Sequence, residues 1–264
     1  MDKEELKKLA KDKRFIPGIY NYCDRWCERC PFTTRCLNYE TSEQHFSEPE
    51  SRDIQNKLFW EKLSEVFQQT MEMIKEMAEE QGVDLNSIDN ETIAEEEKQL
   101  DESARDHECT KSAETYHQKV DDWFDSAGNL FKVKSEKLVK NILLEVPDLD
   151  PSVEATGIKD AIEVIRWYQY QIYVKLMRAV TGQLKGVPEI IEDFPKDSDG
   201  SAKVALIGID RSLAAWGILL KYFPGQEDEI LLVLVHLEQL RKNTEKAFPD
   251  ARAFVRPGFD EKPD

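Results

Sequence analysis

Glycine is scarce in this chain, 11 residues in 264, and none of it forms a glycine-rich phosphate loop. Alternation of apolar and polar residues, the mark of a half-buried strand, is missing as well, which argues against a sheet-based fold. Long apolar runs are missing too. The most apolar stretch, Ile230 to Val235, falls far short of the roughly 20 residues that span a bilayer. No apolar stretch follows Met1, so no secretory signal is expected. Basic charge is in deficit, with 36 Lys and Arg against 53 Asp and Glu and a formal net charge of −17. Broad attraction to nucleic acid or to an anionic membrane surface is therefore disfavoured. The expected location is cytoplasmic and the expected partner another protein, with no membrane.

What is present is helical patterning. Hydrophobic residues make up 40% of the chain, enough for a globular core. A short amphipathic helix is expected over 2–13, ended by Pro17-Gly18. From Glu50 to Gln81 the residues Ile54, Leu58, Leu63, Val66, Phe67, Ile74 and Met77 fall on one stripe, with Gly82 as a stop. Residues 84–108 carry ten Asp or Glu and read as an exposed helix or a connector. Apolar periodicity returns at Tyr116, Val120, Trp123 and Phe124 and continues past Gly128 to Pro147. Asp150-Pro151 reads as N-cap and first helical residue of a helix reaching Gly182–Gly186. Further helices are expected over 201–223 and from Gln226 to Phe248, with a loop near Pro188–Gly200 between. In the tail, Phe254, Val255 and Phe259 could pack back on the body. The expected fold is all-α: a helical bundle of four to five long helices with an N-terminal cysteine-rich metal-binding loop. The expected segments are 1–48 (helix and cysteine segment), 49–248 (bundle) and 249–264 (tail).

Four of the five cysteines lie within fourteen residues, spaced Cys23-x3-Cys27-x2-Cys30-x5-Cys36. In a reducing compartment such clustering points to a metal site over disulfides. Four thiolates in one loop can converge on a tetrahedral zinc ion or on a 4Fe-4S iron–sulfur cluster, and spacing alone does not separate the two. Either centre leaves net negative charge, which Arg25, Arg29 and Arg35 would partly offset, while Tyr20, Tyr22, Trp26 and Phe32 could cover it. The Cys27-x2-Cys30-Pro31 to Cys36 portion resembles the cysteine run of the iron–sulfur site in RecB-like nucleases and the auxiliary cluster motifs of some radical enzymes. Cys23-x3-Cys27-x2-Cys30 is similar in spacing to the radical S-adenosylmethionine signature. These resemblances imply an iron–sulfur centre and no more. They cover some fourteen residues, and the rest of the chain has neither a nuclease strand core nor a barrel pattern.

Polar residues interrupt the later apolar helices. Arg166, Asp210, Arg211, His236 and Glu238 are candidates for a ligand pocket inside the bundle. The plainer reading is structural pairing, Asp210 with an Arg of a neighbouring helix and His236 as a satisfied core histidine. Glu114-x-x-His117 has the spacing of a di-iron ligand pair, but no second such pair exists, and an exposed face explains it better. Cys109 reads as a lone thiol. The function expected is a metal-binding redox or protein-interaction module. The alternatives are an enzyme with a bundle pocket that uses the metal centre for electron transfer, and a zinc-dependent nucleic-acid binder, which the charge disfavours. Enzymatic activity is left open.

Overall fold

The structure is a computed structural model that describes residues 3–87, 89–144, 150–186 and 196–260. Every regular element among these residues is helical. The chain divides into two compact units, Met1–Glu97 with Val255–Asp264, and Lys98–Phe254.

The second unit holds α5 (Glu108–Ser126), α6 (Gly128–Leu143), α7 (Pro151–Lys185), α8 (Asp197–Tyr222) and α9 (Glu227–Ala247). Four of them close a ring: α5 packs on α7, α7 on α8, α8 on α9, and α9 back on α5. Each contributes the apolar stripe its sequence shows, including Tyr116 and Val120 of α5, Ile165, Ile172 and Leu176 of α7, Leu206 and Ile209 of α8, and Leu237 and Leu240 of α9, all fully buried. Burying one such side chain contributes roughly 1.5–3 kcal/mol. α7 and α8 approach closely because Gly208 has no side chain. A Cβ there would lie 2.9 Å from the Tyr168 ring and 3.1 Å from Ile172. At the end of the ring Trp123 meets Trp216 edge to face at 5.0 Å, and the Trp216 indole donates to the Tyr116 hydroxyl at 3.2 Å. Burial pushes that phenol up to about 12.

α7 starts where the sequence predicts. The Asp150 carboxylate accepts from the backbone N–H groups of Ser152 and Val153, and Pro151 needs no donor partner at the first position. α8 begins at Asp197, four residues before the expected start at 201, with Asp197 and Asp199 in its first turn, where the helix dipole favours negative charge. Most of the loop expected around Pro188–Gly200 lies outside the described residues.

The first unit holds α1 (Lys3–Ala10), α2 (Leu37–His45) and α3 (Lys57–Glu80), with a run of 3₁₀ turns between α1 and α2. α4 (Asn90–Asp106) carries the boundary between the units. The expectation of four to five long helices is corrected here: nine α-helices are described, seven of them with 16 residues or more. The acidic stretch accounts for part of the difference. Glu, Gln, Lys and Ala sustain a helix by propensity with little apolar surface, so of the two readings of this stretch the exposed helix holds, as α4. A break at Ala127 divides the next periodic stretch into α5 and α6.

α3 differs from expectation in its burial. Its sequence stripe predicts a core face, yet Phe67, Ile74 and Met77 are about half exposed or more, and Ala78 is the helix's one buried residue. Leu58, Phe59, Leu63 and Val66 are partly covered, and Phe59 meets Phe46 at 5.8 Å. No described helix is long and apolar enough to cross a membrane.

Candidate metal centre

The cysteine segment is built from three single 3₁₀ turns, Ile19–Asn21, Cys27–Arg29 and Thr33–Arg35. Each turn curls the chain within three residues, which lets cysteines three to six positions apart line the same cavity. Cys27 opens the second turn and Cys30 closes it, its N–H donating to the Cys27 carbonyl at 3.1 Å. Cys36 closes the third by the same bond to Thr33 at 3.2 Å. Between Cys23 and Cys27 the backbone reverses at Arg25, which takes a left-handed φ of 59°. Ile16 ties the segment to itself, its N–H donating to the Arg35 carbonyl at 3.0 Å.

All four cysteines are free thiols of intermediate exposure, and all four line one small cavity of about 30 Å³. Ile19, Tyr20, Trp26, Tyr39 and Phe259 complete its walls, with Asp24, Arg25 and Thr33 at the edge. Of the aromatic residues expected to cover the centre, Tyr20 and Trp26 do line it. Of the arginines, Arg25 lines it, while Arg29 lies over the Trp26 ring at 4.0 Å. The sulfurs feel one another. Burial first, then the neighbouring charges of Cys23, Cys30 and Cys36, raises the Cys27 thiol above its ordinary value. Burial likewise raises Cys30, opposed by the Phe32 N–H, which donates to the Cys30 sulfur at 3.4 Å. An amide aimed at a cysteine sulfur supports its thiolate form. As the side chains stand, no group of three or more His, Cys, Asp and Glu among the described residues is arranged to hold a metal ion.

The second candidate set is dispersed into separate pairs. Asp210 accepts from Arg252 at 2.6 Å and faces Arg241 at 3.6 Å, and Arg241 also pairs with Glu238 at 2.6 Å, so Asp210 and Glu238 belong to one half-exposed ion network. Arg166 donates to Asp121 at 2.8 Å and lies over the Phe124 ring at 4.1 Å. Arg211 donates to the hydroxyl of buried Tyr168. His236 lies in α9, and its Nε2–H donates to the Ser112 carbonyl of α5 at 2.8 Å, stitching two ring helices together. These contacts tie helices to one another and do not converge on one cavity. His117, the di-iron candidate, pairs with Asp121 at 3.3 Å and packs against the Tyr170 ring at 3.9 Å, the two planes tilted by 40°. Cys109 is buried and far in sequence from the other four.

Sequence reasoning did not assign Ile19, Tyr39 or Phe259 to the centre. Tyr39 and Ile19 flank the cysteines and could have been found from proximity. Phe259 is more than two hundred residues away, and no local pattern points to it. Compared with protein-family models, with curated proteins and with solved structures, the chain matches none.

Proposed function

We propose that Cys23, Cys27, Cys30 and Cys36 hold a 4Fe-4S cluster, and that the protein is a redox metalloprotein whose first unit is organised by that centre. The observation that carries this reading is the pairing of a four-thiol cavity with an almost absent core. Among the described residues of the first unit, Phe15, Ile19 and Ala78 are the only buried apolar side chains. A small region that buries so little apolar surface needs a disulfide or a metal to hold one conformation. Its cysteines are not paired as disulfides, and metal binding supplies folding free energy directly.

The resemblance of the Cys27-x2-Cys30-Pro31 to Cys36 run to iron–sulfur motifs favours a cluster over a single ion. Zn–S bonds of about 2.3 Å draw four thiolates into van der Waals contact, whereas the irons of a cubane hold the same sulfurs farther apart. Four thiols lining one cavity could serve either centre by donor type. When bound, such a cluster supplies one-electron transfer. The chain's part is to ligate it through four sulfurs, to support Cys30 through the Phe32 amide and to limit water through Tyr20, Trp26 and Tyr39. The strongly acidic surface would suit docking to a protein that gives or accepts the electron.

The test is direct. Protein purified without oxygen is expected to be brown, with about four irons and four sulfides per chain, and Cys30→Ser is expected to lose most of both. A colourless protein containing one tight zinc would overturn the cluster reading. Equal iron content in Cys30→Ser would overturn the assignment of ligands.

A further inference from the structure

The last described residues return to the first unit, and they do so at the cysteine cavity. Phe259 is part of its wall. Its ring meets Phe32 edge to face at 5.0 Å and 81°, and Phe32 is the residue whose amide donates to the Cys30 sulfur. The segment reaches this position through an approach that only glycine permits. Gly258 has φ of +74°, and a Cβ there would lie 2.8 Å from Ile16 and 3.1 Å from Ile19. Ile19 is in turn a wall residue and 2% exposed. The turn is fixed from within. The Arg256 guanidinium donates twice to Asp260, at 2.9 and 3.0 Å, the Arg256 amide donates to the same carboxylate at 3.0 Å, and the guanidinium lies 4.9 Å over the Phe259 ring. That ion pair is mostly buried, with side chains 15% and 23% exposed. Neighbouring Val255, by contrast, is 58% exposed.

We infer that the segment Val255–Asp260 is a working wall of the cysteine centre, in which Phe259 keeps water and dissolved oxidant from the cluster and so sets its lability and potential. This rests on the cluster reading above. The physical argument concerns charge. Four thiolates already make an oxidised cubane negative, and each added electron increases that charge. An aromatic ring in the wall offers no hydrogen bond to the added charge, whereas water does. Opening the wall therefore eases reduction and gives oxidant a path. Phe259 is a positioning residue here and ligates nothing. Gly258 and the Arg256–Asp260 pair hold it in place.

The experiment compares full-length wild type, Phe259→Ala and Phe259→Leu, all purified without oxygen and matched for iron and sulfide. In air-saturated buffer the visible absorption of Phe259→Ala is expected to bleach roughly tenfold faster, the scale on which residues around a metal's ligands act. Its midpoint potential is expected to move positive, with Phe259→Leu between it and wild type. Gly258→Ala, whose Cβ displaces the segment without emptying the wall, is expected to shift both readouts in the same direction and serves if Phe259→Ala does not fold. Iron-loaded variants that bleach and reduce like wild type would overturn the inference and leave the cluster reading standing. Wild type without iron and sulfide would overturn both.

Discussion

The two units of this protein solve the same problem, holding helices together, by different means. In Lys98–Phe254 the ring of α5, α7, α8 and α9 encloses a continuous apolar core. Of the twelve largest fully buried side chains, all but Ile19 belong to it. In Met1–Glu97 and Val255–Asp264, Trp60, Phe67, Met71, Ile74 and Met77 of α3 stay at the surface, and four thiols gather round one small cavity. The contrast locates the stability of each unit. One draws it from apolar area, which needs no cofactor. The other lacks that area, and on the cluster reading proposed above its fold should depend on what the four thiols hold.

Three measurements put this contrast at risk. The largest effect concerns protons and metal. Loaded thiolates compete with protons, so acidification should release the metal and with it an organising contribution on the order of 10 kcal/mol. Residues 3–80 should then lose amide protection while α5–α9 keep theirs. In the metal-free protein the sign reverses. Burial raises the Cys27 and Cys30 thiols in the folded state, so the metal-free first unit keeps its stability at low pH and loses some as pH rises through the raised thiol range. Hydrogen exchange across pH with and without metal would show the two trends crossing, and parallel trends would remove the contrast.

Next in size is the ring itself. Ile172 is fully buried against Gly208 of α8, so Ile172→Ala should cost about 2–5 kcal/mol in a denaturant melt of the second unit. Metal content should not change. If the same substitution released iron, the two units would not be independent in stability. The smallest effect is expected at Asp210. Its partners Arg252 and Arg241 are about as exposed as it is, at 42% and 35% against 38%, and pairs of this kind are worth at most about 1 kcal/mol. Asp210→Asn should therefore barely move the melting curve, and a large loss would show that the network does more than tie α8 to its neighbours.

Much of this was legible in residue order. The all-helical class, the Asp150 cap of α7 and the stripes of the ring helices follow from local periodicity and capping, which act over a turn or two. The length of α3 could be read to within a few residues at its C-terminal end, yet its burial could not, because an amphipathic stripe states that a face is apolar and says nothing of whether a neighbour covers it. The bundle candidates show the same limit. Arg166, Asp210, Arg211, His236 and Glu238 were recognisable as polar interruptions, but their partners Asp121, Arg252, Tyr168, Ser112 and Arg241 come mostly from distant positions that no spacing rule connects.

Residue order alone was enough for the all-helical class and for the clustering of four cysteines, though not for the number of helices, because helix propensity and cysteine spacing are local matters. Long-range packing was needed for the rest: that α5, α7, α8 and α9 close a ring, that much of the apolar face of α3 stays exposed, and that Phe259 stands beside cysteines more than two hundred residues earlier. Those outcomes depend on which surfaces exclude water together, and exclusion of water is a property of the folded arrangement that no single segment carries.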